Sequence, residues 1–550
     1  MKKKNQTEQL YKPSDFWFYA GILAILLVSV MAHDISRPFY GLHSWDEASA
    51  AWRARAFLNY NLGYTKGFAV WAVGNPPTEK PNRSLDHPQL KLFMPAIEMS
   101  IFGINERAIR IGRIIRTLVS LLIFLKIMRA LLDKKTALLA GLFFCLFPIV
   151  GYFGGRSWVM PVSLLSIWNY LVTIGCVGDK PKATNYHKWF LAISLFFALQ
   201  MSWEGFCYAL AICVHYVFRC IHRRQWPKKT LLAILIFPSL ASLILSFIIM
   251  AAGHNWSWQK IWLLYKWRAT TGEMEALTWS MWFGRFWEHA LTNFTLPVLI
   301  TVIAYWTVGK LYALLTNTTN SETSQKYRSF PQFWLFVMPP IFQLFLFKGA
   351  LWPHQYWEYP LVPFLAISVT LAVMMFWDIL RTINYHLANI GIVLLVGTVF
   401  ICCMIGLNYY HNIRWQAPAK IEMLKMLNEK IPANKALLSF ENFTVNQHPV
   451  KGPHYRPEIA WYLDREIESA QNINDIEKKA ATGRYPYYLL PTVGYNKKIT
   501  LHLQQLRNEL EKKYEPYTYV PGQPSKKTKD GKFLRAGMPA YMIFDLNSRV

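Results

Sequence analysis

Residues 387–409 read LANIGIVLLVGTVFICCMIGLNY, a stretch without a single Asp, Glu, Lys or Arg. A helix of about 20 such residues crosses a hydrocarbon core some ~30 Å thick. Residues 229–252 repeat the pattern after a single lysine at their first position. Outward from these two, apolar runs lie at roughly 16–34, 108–132, 136–153, 158–177, 187–203, 205–221, 290–314, 331–348 and 357–378. The expected fold is therefore a polytopic α-helical membrane protein of about eleven transmembrane helices. The composition agrees, because 53% of the 550 residues are hydrophobic and 17% charged, against about 25% charged in a soluble globule. Disordered, collagenous and disulfide-stapled classes are excluded.

The net charge is +27, from 59 Lys and Arg against 32 Asp and Glu. In a soluble protein that excess points to nucleic acid. Here it is explained by basic residues at the cytoplasmic ends of spans, and no nucleic-acid partner is expected. The N-terminal Lys2, Lys3 and Lys4 and the connections 126–135, 179–188, 219–229 and 310–328 carry much of it. They place the N-terminus in the cytoplasm. The first run lacks a small-residue cleavage site and reads as a retained span. An odd number of crossings then puts the C-terminus outside, in the orientation of an inner (plasma) membrane protein. Seven cysteines, all in or beside apolar runs, have no metal-ligand spacing with histidines.

Two parts follow. Residues 1–409 form the membrane part, with long outside loops at 35–107 and 253–289, the second carrying Trp256, Trp258, Trp262, Trp267, Trp279, Trp282 and Trp287. Its aromatics suit amphipathic helices in the interface or an aromatic belt. Residues 410–550 contain 22 Lys and Arg, 14 Asp and Glu and no Cys. Helical periodicity at 417–431, 457–467 and 498–514, and strand-like runs at 436–440, 487–493 and 540–544, predict a small α/β domain outside the membrane. Residues 522–531 read as a loop.

Ionisable groups near membrane-embedded segments are costly and mark candidate sites. The outside face collects three clusters. In His43-Ser44-Trp45-Asp46-Glu47, adjacent carboxylates supply a general base or a metal ligand, although an Asp at a helix start is also an ordinary cap. In Asp86-His87-Pro88-Gln89-Leu90-Lys91, Pro88 suits a helix start, and His87 and Lys91 stand one turn apart at a helix N-terminus, where phosphate binds. In Trp352-Pro353-His354-Gln355-Tyr356-Trp357-Glu358-Tyr359-Pro360, His354 and Tyr356 are donors at a proline-broken helix entry, where aromatics also mark the interface. The turns Gly154-Gly155-Arg156-Ser157 and Ser202-Trp203-Glu204-Gly205 each add one charge.

The order and common sidedness of these elements resemble the GT-C glycosyltransferases, in the branch of protein O-mannosyltransferases and bacterial aminoarabinose lipid A transferases. The resemblance covers the membrane part to about residue 410, with the general idea of an outside C-terminal domain. It implies that Asp46, with Glu47 beside it, is the catalytic acidic position, that His87 contacts donor phosphate, and that Tyr356 hydrogen-bonds the same phosphate. Arg156, Lys91 and His354 are further phosphate-binding candidates. Where some members carry a second Asp after the third span, this chain reads Val159-Met160-Pro161. Asp86 and Glu204 are the other acidic candidates for a Mg or Mn ion, whose ligands the sequence does not fix.

The implied reaction transfers a sugar from a polyprenyl-phosphate donor to a lipid, glycan or protein acceptor, with inversion. The absence of GxGxxG and GxxxxGK[ST] loops fits a membrane-carried donor. A transporter or flippase is the competing class, although the spans are nearly free of mid-span acids. An oligosaccharyltransferase-like or polymer-ligase enzyme is the third.

Overall fold

The computed structural model describes residues 13–74, 77, 82–84, 87–177, 185–252, 258–270, 277–309, 331–413, 418–445, 454–493, 497–522, 526–527, 533–535 and 540–550. The N-terminal lysines, Asp86, Trp256, the connection 310–328 and most of 522–531 lie outside these residues. The chain divides into two compact units. The first holds Met1–Ile35, His87–Lys91 and Arg110–His411, and the second Ser36–Asp86, Leu92–Ile109 and Asn412–Val550.

Each of the eleven apolar runs of the membrane unit carries helix among its described residues. Among the described residues, five helices are long and apolar enough to cross a membrane: Asp15–Ala32, Glu204–His222, Lys229–Ala252, Gln355–Ile383 and Tyr385–Asn412. The pair Trp279–Phe294 and Leu296–Val308, bent by 106°, makes a sixth if it is one span. The other runs differ from the expected uniform spans for local reasons. Pro148 opens a new helix inside the 136–153 run, the 158–177 run gives only the helix Val159–Thr173, and the helix Glu106–Leu131 carries Arg107, Arg110, Arg113 and Arg116. The helix Tyr385–Asn412 shows how the unit is solvated. Val399, Cys403, Leu407 and Tyr410 are buried against protein, whereas Ile390, Val393, Leu394, Ile401 and Ile405 are exposed. A helix satisfies its own backbone, so an outer face of bare hydrocarbon is stable in lipid.

The second unit joins the C-terminal residues to most of the first outside loop, whereas the sequence reading drew one boundary at 409/410. Its centre is a five-stranded sheet in the order Ile467–Ser469, Leu437–Ser439, Tyr487–Pro491, Tyr541–Arg549, Tyr514–Val520. The first three strands are parallel and the last two run antiparallel to their neighbours. The strand period of two divides the side chains between two cores. Leu438, Tyr488, Leu490 and Phe544 pack with Leu503, Leu506 and Leu510 of the helix Lys497–Glu511. Leu437, Leu489 and Ile543 share the other core with Ile421, Leu424 and Leu427 of the helix Pro418–Lys430. That core also takes in Ala48, Ala51 and Ala54 from the first loop.

Those alanines recur every three residues along the helix Ser44–Asn59, so their small side chains form one face that approaches its neighbours closely. A guanidinium fixes the seating. Arg55 Nη1 donates to the Trp461 carbonyl at 2.7 Å and Nη2 to that of Ala460 at 2.8 Å. Nη2 also lies 2.9 Å from Asp464 Oδ1. At the end of the helix Pro457–Leu463 the Ala460 carbonyl already accepts from the Asp464 N–H, and Arg55 adds a donor to it and supplies one to the Trp461 carbonyl. From the same helix, Glu458 Oε1 accepts from Ser44 Oγ at 3.5 Å.

Arg55→Ala is expected to cost about 2–4 kcal/mol, read as earlier thermal unfolding and faster proteolysis within residues 36–86. Burial pushes the Glu458 carboxyl above its ordinary range, against the opposing pull of Lys420, Arg456 and Ser44. The folded chain therefore keeps that proton to higher pH than the unfolded chain, and stability falls as pH rises through the interval. Glu458→Gln should flatten that stretch of the melting-temperature profile.

Candidate functional site

Asp46 and Glu47 lie in the first turn of the helix Ser44–Asn59, half-buried. The helix opens three residues earlier than an Asp46 cap would require. Its cap is His43, in the left-handed region at φ 54 and without a side-chain capping bond. Both carboxylates sit in the first turn, at the positive end of the helix dipole. Arg53, two turns along, is committed within this unit: it donates to the Ser49 carbonyl and to Ser84 Oγ, each at 3.0 Å, and covers the Trp71 ring. Asp86 is outside the described residues.

The remaining candidates belong to the membrane unit. Residue 155 adopts φ 65, and a Cβ there would sit 2.1 Å from the Arg113 carbonyl oxygen. At residue 154 a Cβ would sit 2.3 Å from the Val150 carbonyl oxygen. Only glycine lets the chain turn so closely against the helix Glu106–Leu131. Arginines of that helix take up the turn's carbonyls: Arg113 Nε donates to Gly154 O at 3.1 Å, and Arg116 Nε donates to Gly155 O. Arg113 Nη2 also donates to Tyr152 O.

Held by this turn, the Arg156 guanidinium lies 3.8 Å from the centroid of the Tyr356 ring and 5.0 Å from that of Phe153. On Tyr356 the His354 imidazole stacks at 5.2 Å and 16°. Arginine, phenol and imidazole from two separated stretches of chain thus form one column, a cation–π contact extended by a ring stack. Three of the predicted phosphate-binding residues are thereby brought together.

The lower half of the column rides on a 3₁₀ turn, Gln355–Leu361, running into the helix Val362–Ile383 with Pro363 in its first turn. A buried polar network anchors the turn. Asn293 Nδ2 donates to Glu358 Oε2 at 2.9 Å and to the Gln355 carbonyl at 3.0 Å, and Asn293 Oδ1 accepts from the Tyr410 hydroxyl at 2.5 Å. Gln343 Nε2 donates to the Trp357 carbonyl at 3.3 Å. Glu358 has no solvent exposure. Two residues beyond Asn293, Thr295 takes φ 70 at the bend of the broken helix pair.

His87 directly precedes Pro88 and the helix Gln89–Phe102, with Lys91 one turn into it. Gln89 Nε2 donates to the His87 carbonyl at 3.2 Å. Arg268, from the helix Trp258–Ala269 of the Trp-rich loop, brings Nη2 to 3.5 Å from His87 Nε2. A guanidinium only donates, so that imidazole nitrogen is the acceptor. Glu204 opens the helix Glu204–His222, half-buried. One turn on, the Tyr208 hydroxyl reaches Met160 Sδ at 3.4 Å. Position 160, where the resemblance would put an acid, is therefore occupied by a buried thioether on a helix packed beside the one that Glu204 starts.

The sequence reading passed over Arg113, Arg116, Arg268 and Asn293. Arginines three residues apart in an otherwise apolar run were the available signal for the first two. Asn293 had none, because an amide near a helix end looks like any interfacial residue.

Residues 86–258 match the family model described as dolichyl-phosphate-mannose-protein mannosyltransferase. A comparison with curated proteins finds no match. Among solved structures, the chain is similar to ArnT from Cupriavidus metallidurans in the apo state, with TM-score 0.58, 10% identity, and 97% of this chain and 98% of that chain covered. Similarity to the same protein bound to undecaprenyl phosphate has TM-score 0.57 and 10% identity, covering 98% of each chain. The apo oligosaccharyltransferase of Archaeoglobus fulgidus gives TM-score 0.56 at 13% identity, covering 96% of this chain and 75% of that one.

Asn293→Ala leaves Glu358 and Tyr410 without their shared amide. It is expected to cost about 1–3 kcal/mol, read as a lower unfolding temperature of the detergent-solubilised protein, with a smaller loss for Tyr410→Phe.

Proposed function

We infer that this chain, a member of the GT-C glycosyltransferase superfamily by fold, is an integral-membrane enzyme that moves a sugar from a polyprenyl-phosphate donor to an acceptor. The observation that carries the reading is the column of Arg156, Tyr356 and His354 in the membrane unit. A guanidinium and two ring donors suit a phosphate whose lipid tail stays in the bilayer. The ArnT structure with undecaprenyl phosphate, a lipid carrier of this kind, supports it.

The chemistry follows from the donor. Polyprenyl phosphate is already a good leaving group, so no covalent intermediate is required. Asp46 takes the acceptor hydroxyl proton or orients that hydroxyl, with Glu47 beside it. Arg156, Tyr356, His87, His354 and Lys91 stabilise the charge that grows on the departing phosphate. A direct displacement inverts the anomeric carbon. Asp46 and Glu47, as oxygen donors on one helical turn, are the ligand type that a Mg or Mn ion takes, with Asp86 or Glu204 as a further acid. Such an ion would help neutralise the phosphate. The acceptor is a lipid, glycan or protein. The N-terminus is cytoplasmic, and the second unit faces the extracytoplasmic side of the inner membrane.

Likeness to the oligosaccharyltransferase fold keeps en bloc glycan transfer as a second reading, and donors carrying one sugar or many separate the two.

Membranes containing each variant, given a polyprenyl-phosphate-linked sugar, test the assignment. Asp46→Asn should lower sugar transfer by about 10²-fold or more. His87→Ala and Arg156→Ala should each lower it by roughly tenfold or more, and Tyr356→Phe by less, because the ring under Arg156 survives. Full turnover in both Asp46→Asn and His87→Ala, at normal protein levels, removes the assignment.

A further inference from the structure

Apart from the column, the described residues of the membrane unit gather one more set of ligating side chains. His33 and Asp34 directly follow the helix Pro13–Ala32, and His411 is the next-to-last residue of the helix Tyr385–Asn412. His411 Nδ1 lies 2.5 Å from Asp34 Oδ2, and His33 Nδ1 lies 3.2 Å from Asp34 Oδ1. The two imidazole centroids are 4.5 Å apart. One ligand atom from each of the three residues falls within 4.8 Å of the others, the one such group among the described residues.

We propose that His33, Asp34 and His411 form a binding site for a divalent cation of the zinc class, which clasps the end of the first span helix to the end of the last. Two imidazoles and one carboxylate are a borderline donor set that takes Zn or Co in preference to Mg or Ca. Ligands on a tetrahedral zinc stand about 3.3 Å apart, given bonds of about 2.0–2.1 Å. The Asp34–His411 pair has to open by less than about 1 Å to reach that spacing.

Three features favour a cation there. Two helix C-termini meet at the cluster, each carrying the partial negative charge of its dipole. The backbone behind the ligands is fixed, because Arg110 Nη1 donates to the Asp34 carbonyl at 2.7 Å. His411 is buried, with Tyr152 edge-on to its ring at 5.7 Å, whereas His33 is exposed and leaves an open side for the ion and a water ligand. One carboxylate neutralises one imidazolium. A second imidazole drawn to the same carboxylate matches the donor count of a metal ion better than that of an ion pair.

The test uses the full-length protein in nanodiscs, with any affinity tag removed, stripped with chelator and then equilibrated with Zn or Co. Bound metal is counted by mass spectrometry, and Co coordination is read from its visible spectrum. Wild type should retain one equivalent with a tetrahedral Co spectrum and unfold at a higher temperature with metal. His33→Ala should weaken binding by at least about tenfold, and Asp34→Asn and His411→Ala should abolish it. His386→Ala, at an exposed histidine elsewhere, should leave it intact. His33 lies in a turn, so His33→Ala carries the test if His411→Ala fails to fold. Equal affinity in wild type and His33→Ala, or no retained metal in wild type, overturns the proposal. So does loss of the equivalent in Asp46→Asn, which would assign the ion to the acidic pair. The readout is metal content, so the outcome is independent of the transferase reading.

Discussion

The seating of one helix by one guanidinium governs much of what this molecule can do. Arg55 donates to the Ala460 and Trp461 carbonyls of the helix Pro457–Leu463 and pairs with Asp464, and in doing so it fixes the helix that carries Asp46 and Glu47. A buried guanidinium has no low-cost alternative partner, since removing its acceptors leaves an uncompensated charge. The alanine face at Ala48, Ala51 and Ala54 allows the approach, and Arg55 sets its register. The acidic pair thus belongs structurally to the C-terminal sheet, although in sequence it follows the first span. That gives the C-terminal residues a definite role as the support of the acidic helix.

In the membrane unit the governing constraint is the solvent. Lipid offers no hydrogen bonds, so polar groups that enter it must satisfy one another. Asn293 meets that demand by bonding Glu358, the Gln355 carbonyl and Tyr410 at once. The 3₁₀ turn that presents Tyr356 and His354 is held from beneath by this network. The Gly154-Gly155 turn is held by Arg113 and Arg116. Both halves of the column are therefore held by hydrogen bonds from neighbouring elements.

The class of fold was legible because uncharged runs such as 387–409 permit few other readings, and in the C-terminal residues three strands and three helices followed from their periods, whereas the strands Ile467–Ser469 and Tyr514–Val520 and the helix Ile473–Ala480 did not. The number of crossings was less so. Pro148 and the arginines of Glu106–Leu131 interrupt or charge what a smoothed hydropathy reading takes as continuous spans. The joining of residues 36–86 to 412–550 was invisible, because a core shared between stretches some hundreds of residues apart leaves no local period. At the candidate site, His354, Tyr356 and Arg156 were found as residue types at suspect turns, and their stacking is a tertiary fact. Asn293 and Arg268 act through partners far away in sequence, so no spacing rule marks them.

The chain passes from one unit to the other at five points, the last of them between His411 and Asn412. A ribosome delivers residues 36–86 near the outset, but the strands and helices that share their core emerge only at the close of synthesis. Throughout that interval Phe39, Ala51 and Ala54 lack the partners they are built to meet, and the acidic turn has no fixed seat. A polypeptide cut short between residues 412 and 437 would lack the Ala460, Trp461 and Asp464 partners of Arg55 and leave that turn unanchored. The acidic turn thus gains its support only when the last residues of that shared core have been made.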